Sequence, residues 1–371
     1  MPDEAAVEAL SQTVVWSTFA IAFVLGAIMS RTNFCTMGAV ADIVNMGDWL
    51  RMRMWLCAIG VAIISTQGLA ALGVIDLSRS LYTGTQLPVL SFAVGGFLFG
   101  IGMVLASGCG SKTLIRLGGG SLKSLVVFVM LGLAAYMTLR GVFAPIRVNV
   151  LDQIWRAEFA IGQDLPRLIG GAEISAGLRL LIAAVIGGGL IALAFADREF
   201  RRLDPMLAGI GIGLGITALW WVSGSLSFVA EHPETLEEAF VATTAGRPES
   251  FTFVAPVAFT LELLLFWTDA SRFVSVGIAA VLGMIAGSFV YAIATRSFRF
   301  EGFRGPEDTA NHLVGGTLMG IGGVTALGCT VGQGLTGLST LATGSLIAFV
   351  FICAGAVAGL YYQIWRVERM V

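Results

Sequence analysis

Residues 95–109 read GGFLFGIGMVLASGC, and residues 315–329 read GGTLMGIGGVTALGC. The two agree at ten of fifteen positions at a constant offset of 220, and the match resumes after a four-residue slip, where Gly120-Ser121-Leu122 corresponds to Gly344-Ser345-Leu346. Self-similarity at a fixed spacing marks a duplicated unit. Each copy is an apolar, glycine-stepped run that ends at a cysteine and gives way to chain too short and too glycine-rich to cross a bilayer. A weaker echo aligns Leu25-Gly26 with Leu214-Gly215, but there Gly224 stands where the first half has Cys35.

The chain around these copies is apolar throughout. Of 371 residues, 56% are hydrophobic and 12% charged, whereas a soluble domain carries roughly 25% charged residues. A soluble enzyme is excluded. Apolar segments at about 14–30, 54–74, 88–108, 121–140, 178–196, 206–228, 251–268, 273–294, 311–328 and 345–365 predict nine or ten spans of a hydrocarbon core about 30 Å thick. A net charge of -2 gives no basic excess for nucleic acid. The opening MPDEAAVEAL has no basic n-region or cleavage site, so the first apolar segment is expected to be retained as a span.

Three glycine-rich stretches between the spans, 32–47, 109–120 and 329–344, each contain a cysteine. Non-helical backbone at membrane depth is tolerated only where protein buries it or a wet cavity faces it. They are therefore expected as re-entrant loops or half-helices. The fold class is an all-α polytopic membrane protein built from an internal repeat, with 1–157 as the first half, 158–204 as connector and linking helix, and 205–371 as the second half. Duplicated halves with interrupted segments in corresponding places point to a transporter site near the midplane. Arg51, Arg53, Lys112, Arg116, Lys123 and the segment DREFRRLD (197–204) favour the cytoplasm by the positive-inside rule. Alternation through ten spans would put Arg296, Arg299 and Arg304 outside and make the two cysteine copies parallel. The inverted arrangement requires that one span between 251 and 294 does not cross fully.

The chemistry concentrates at the cysteines. Cys35, Cys57, Cys109, Cys329 and Cys353 are scattered, with no C-x-x-C pair and no ligand at metal spacing, so they read as free thiols. Cys57 and Cys353 sit in apolar mid-helix surroundings and read as packing. Cys109 and Cys329 stand where a long helix breaks, exposed to whatever fills the gap. Cys35 follows the first span, with Arg31 one turn earlier and Asn33 beside it. Arg31 at that depth is a functional candidate by default, or it snorkels to the interface. GCGSKT (108–113) resembles a phosphate loop, but a lipid helix precedes it in place of a strand. Lys112 then reads as part of a positive exit for an anion or as a topology signal. Thr330 and Gln333 supply the hydroxyl and amide donors that a buried anion needs, and they can equally cap the returning half-helix. Gly96, Gly100, Gly316 and Gly320 form G-x-x-x-G steps for close helix packing. His232 and His312 read as structural.

Three motifs carry a family resemblance: R-x-x-F-C-x-x-G-A from Arg31, S-G-C-G-S-x-T-L from Ser107, and G-C-T-V-G-Q-x-L-T-G-x-S-T-L from Gly328. With them the chain resembles the YeeE/YedE family of sulfur-transport proteins of bacterial inner membranes, from the first span to the last. The resemblance implies thiosulfate uptake, with the anion passed between the thiols of Cys35, Cys109 and Cys329 by S–H···S and S–H···O contacts. It implies no cofactor and no ATP-binding subunit, and a small cytoplasmic sulfurtransferase of the TusA type as partner. Within transport, other sulfur or selenium species compete as substrate. A membrane thiol oxidoreductase would need a paired redox couple, and a purely structural subunit would have no use for broken helices.

Overall fold

The computed structural model describes residues 4–171, 174–233, 235–269 and 272–369. Long runs of Leu, Ile, Val, Ala and Phe satisfy their backbone internally as helices: α1 (Glu4–Thr32), α2 (Thr36–Met46), α3 (Leu50–Ala71), α4 (Val89–Leu105), α5 (Gly110–Gly118), α6 (Leu122–Leu139), α7 (Ala176–Phe195), α8 (Leu203–Trp221), α9 (Ala255–Leu265), α10 (Val276–Ala294), α11 (Pro306–Thr325) and α12 (Thr343–Glu368). Two short antiparallel pairs lie in the connections, Gln86–Pro88 with Arg156–Glu158 and Phe228–Val229 with Ala239–Phe240.

Among the described residues eight helices are long and apolar enough to cross a membrane: α1, α3, α4, α6, α7, α8, α10 and α12. These eight are counted by length and composition, and two of the expected nine or ten segments fall outside that count. Segment 251–268 holds only the 11-residue α9. Segment 311–328 belongs to α11, which is 20 residues long and opens on the polar turns PEDTANH, yet it runs along α4 from Gly102 to Gly95 and crosses with it.

The matching segments form α4 and α11, and these two run antiparallel. Gly95 packs on Gly322 and Ala326, while Gly102 packs on Gly315 and Met319. Each then lies parallel to the last helix of the other's unit. Gly96 and Gly100 meet Ala348, Ile352 and Ala356 of α12, and Gly316 and Gly320 meet Val127, Leu131 and Ala134 of α6. A Cβ on Gly100 would stand 2.2 Å from the carbonyl oxygen of Ile352, so glycine alone permits this approach.

Segment 251–265 does not cross. Phe253 packs over Gly110 in the interior, and the Thr336 hydroxyl donates to the Phe251 carbonyl at 2.7 Å. From there α9 runs back to the end of α6, where Tyr136 donates to Glu262 at 2.8 Å. Val276, the first residue of α10, bonds the Ala242 carbonyl of the preceding connection. Alternation is therefore broken at α9, within the stretch 251–294 where the inverted arrangement requires one span not to cross fully, and the late arginines do not fall outside as ten alternating spans would put them. Arg299 and Arg304 line the same cavity as Arg31 and Arg116. One face of the molecule is basic, tied by Arg31–Asp204 at 2.9 Å and Arg53–Asp197 at 3.4 Å.

Candidate functional site

The three cysteines share one local construction. Asn33, Ser107 and Leu327, each two residues before a cysteine, have left-handed backbone at φ 51°, 56° and 54°. The amides of Phe34, Gly108 and Gly328 then bond back to the carbonyls of Met29, Met103 and Gly323, which closes each incoming helix with a Schellman-type end. Each cysteine opens the next helical segment: the carbonyls of Cys35, Cys109 and Cys329 accept from the amides of Ala39, Thr113 and Gln333. The break is thus a reversal from one helix end to the next helix start, with a thiol at the turn. What the sequence suggests as glycine-rich loops is helical beyond the thiol, as α2, as α5 and as a wide turn over Gly332–Gly337.

Helix starts present free N–H groups and the positive end of the dipole. Gly332 N–H reaches the Cys329 sulfur at 3.4 Å, with the Phe253 amide as a further donor. The Cys109 thiol lies 3.3 Å from the Ser111 hydroxyl and receives the Lys112 amide. Cys35 and Cys109 are near enough to interact directly, and Thr330 lies against Cys109. Cys35 is 5% exposed, and Cys109 and Cys329 are fully buried.

Beside the thiols stand polar groups without a hydrogen-bond partner among the described residues. These are the hydroxyls of Thr36 and Thr330, each directly following a cysteine, and the Gln333 Oε1. Buried unpaired polar atoms are rare in native proteins and mark places that a ligand can complete. Thr330 touches Cys109 without forming a directed bond. The Gln333 amide nitrogen is used internally, donating to the Ala326 carbonyl.

On the basic face a cavity of about 960 Å³ reaches Cys35. Its wall carries Arg31, Arg51, Lys112, Arg116, Arg299 and Arg304 against one carboxylate, Glu301. Asn33 accepts from Lys112 Nζ at 3.1 Å, which holds the ammonium near Cys35. Arg31 is half exposed and paired with Asp204. On the opposite face a second cavity, about 350 Å³, reaches Gly328, next to Cys329, and is walled by Tyr82, Thr252 and Glu249. The two cavities are at opposite ends of α6: Ser121 lines the first, Leu139 the second. Eighteen helical residues separate them, about 27 Å at 1.5 Å per residue.

The fold therefore brings Cys35, Cys109 and Cys329 into one buried series, with Asn33, Lys112, Thr330 and Gln333 around it and Arg31 at the rim of the basic cavity. Cys57 and Cys353 lie apart, in α3 and α12. Tyr82, Phe253 and Glu249 escape a reading of the sequence because they come from connections that carry no motif. Ser111 stands inside SGCGSKT and was within reach of it.

A profile of the family described as sulphur transport matches residues 31–358. The chain is 26% identical over 349 residues to the thiosulfate transporter TsuA of Spirochaeta thermophila, covering 92% of this chain and 97% of that one. It is also 26% identical over 355 residues to the thiosulfate transporter TsuA of Escherichia coli, covering 93% of each. With a match of that extent, holding all three cysteine turns, the chain belongs to the sulphur-transport, or YeeE/YedE, family.

Proposed function

We propose that this protein imports thiosulfate across the bacterial inner membrane, passing the anion from Cys329 to Cys109 to Cys35. One observation carries the reading: a buried series of three thiols, each at a helix start, lies between two cavities at opposite ends of the bundle. The basic face is cytoplasmic by the positive-inside rule. Entry is then through the Glu249–Tyr82 cavity and exit is into the cavity lined by arginines. The names of the two relatives supply the substrate.

The arrangement suits a dianion. Stripping all water from a doubly charged ion in one step is very costly. Three short sites in series let the ion exchange its hydration for thiol, hydroxyl and amide donors in stages. A neutral S–H donates to sulfur or oxygen without adding negative charge. The unpaired Thr36 and Thr330 hydroxyls and the amides at each helix start add donors. No site is a full cage, so the ion can leave. Lys112, held by Asn33, draws it from Cys35 toward the arginines. No cofactor is needed for this passage.

In this reading 1–157 and 205–371 are halves of opposite orientation, joined through 158–204. The basic cavity is also where a small sulfurtransferase of the TusA type would receive the sulfur.

Labelled thiosulfate uptake into cells lacking their own sulfate and thiosulfate permeases tests the reading. Uptake above the empty-vector level, displaced by unlabelled thiosulfate more strongly than by sulfite or selenite, is expected. No uptake, or preference for another species, overturns the substrate.

A further inference from the structure

We propose that Glu249 is a proton-binding site at the outer mouth of the pathway, and that it must hold a proton for an anion to pass. The inference rests on the transport reading above. Glu249 lines the outer cavity together with Gly328, the neighbour of Cys329. Its carboxylate accepts one long bond, from the Thr244 amide at 3.3 Å. The backbone around it is fixed by Ser223, whose hydroxyl donates to the Glu249 carbonyl and accepts from the Glu249 amide at 3.1 Å. Ser223 precedes Gly224, the residue standing where the first half has Cys35.

The titratable and charged groups facing this mouth are Tyr82 from the 81–83 turn, Arg140 at the end of α6, Arg247 on the same connection, and the Cys329 thiol beyond Gly328. Arg140 also borders a recess with Glu262 and Arg272, and those two are paired with each other at 2.7 Å. Among the described residues no guanidinium lies within salt-bridge distance of Glu249. Burial pushes the Tyr82 phenol up, away from neutrality. Burial likewise pushes the Glu249 carboxyl up to about 7.

An ionised carboxylate in this confined mouth repels a dianion, because a low effective dielectric strengthens the interaction several-fold over water. A protonated carboxyl removes that barrier and offers an O–H donor. Proton and anion occupancy are then linked reciprocally: acid favours anion entry, and the anion draws a proton onto Glu249. Thiosulfate stays a dianion near neutral pH, so any proton taken up on its binding resides on the protein.

The test compares initial thiosulfate uptake at external pH 6 and pH 8 for the intact chain and Glu249→Gln. The protonated fraction of a group titrating near 7 falls about tenfold over that interval, so the intact chain should lose several-fold in rate while Glu249→Gln stays active and flat. The same pH dependence in both chains would overturn the proposal. If the intact chain moves no thiosulfate at either pH, the transport reading fails instead. A second measurement needs no variant: thiosulfate added to the purified protein in weak buffer at pH 7.5 should raise the pH of the solution, and an equal ionic strength of sodium chloride should not. No proton uptake on thiosulfate binding would also overturn the proposal.

Discussion

Ser107 and Leu327, 220 positions apart, both take left-handed backbone, at φ 56° and 54°, and both stand two residues before a buried cysteine. This conformation costs an ordinary L-residue roughly 1 kcal/mol, and a β-branched residue finds it harder still. At Leu327, glycine should therefore be tolerated, and Leu327→Val should be destabilising by about 1–2 kcal/mol. Thermal unfolding in detergent should rank Leu327→Gly above Leu327→Val. The reverse order would show that the turn is held by side-chain packing and not by its backbone.

Close approach of α4 to α12 depends on Gly100, where a Cβ would meet the Ile352 carbonyl at 2.2 Å and the Ala356 amide at 2.6 Å. Overpacking of this kind costs about 1–3 kcal/mol. Gly100→Ala should lower the unfolding midpoint and membrane abundance. Gly189→Ala, with nothing within 4 Å of its added Cβ, should leave both unchanged.

The connection between α6 and α7 has a specific task. Gln163 accepts the Gly344 amide on its side chain at 3.1 Å and the Thr343 amide on its carbonyl at 3.1 Å, while Leu165 bonds the Leu341 carbonyl at 3.0 Å. On the basic face, Leu122 bonds the Glu301 carbonyl and Arg299 the Gly119 carbonyl, so each returning loop is clamped by a connection distant in sequence. Gln163→Leu leaves the buried Gly344 amide unpaired, a loss of about 1–3 kcal/mol. Uptake should fall with stability in this variant, and full retention of both would remove the clamp.

Glu249 also makes stability depend on pH. Its carboxyl is raised from 4.5 to about 7 in the fold, so the folded chain binds the proton more tightly than the unfolded one. The unfolded carboxyl ionises first, and native stability declines as pH rises from about 4.5 through about 7. Glu249→Gln should melt higher than the intact chain at pH 8, by an amount on the order of a few degrees, and like it near pH 4.5. A constant difference across that range would contradict the assigned titration.

Membrane residence, helical class and the glycine steps at Gly96, Gly100, Gly316 and Gly320 are legible in the sequence, because apolar length and residue size act locally. Cys35, Cys109 and Cys329 stand out for the same reason: each ends an apolar run. The positive charges require one span between 251 and 294 to fall short, but apolarity does not say which, since α9 is as apolar as a span and differs only in length. Nor does local pattern reveal the left-handed residues, because Asn, Ser and Leu share no side-chain feature that demands that backbone. Tyr82 and Glu249 meet the Cys329 neighbourhood only through folding of distant connections, and nothing adjacent to them announces it.

In the proposed passage Cys35, Cys109 and Cys329 act in series on the transported anion. The direct measurement is labelled thiosulfate uptake for Cys35→Ala, Cys109→Ala and Cys329→Ala, with Cys57→Ala as control, at matched membrane abundance. Each of the first three should lose at least tenfold while Cys57→Ala matches the intact chain. Near-full uptake in any of the three, with abundance unchanged, would contradict the series.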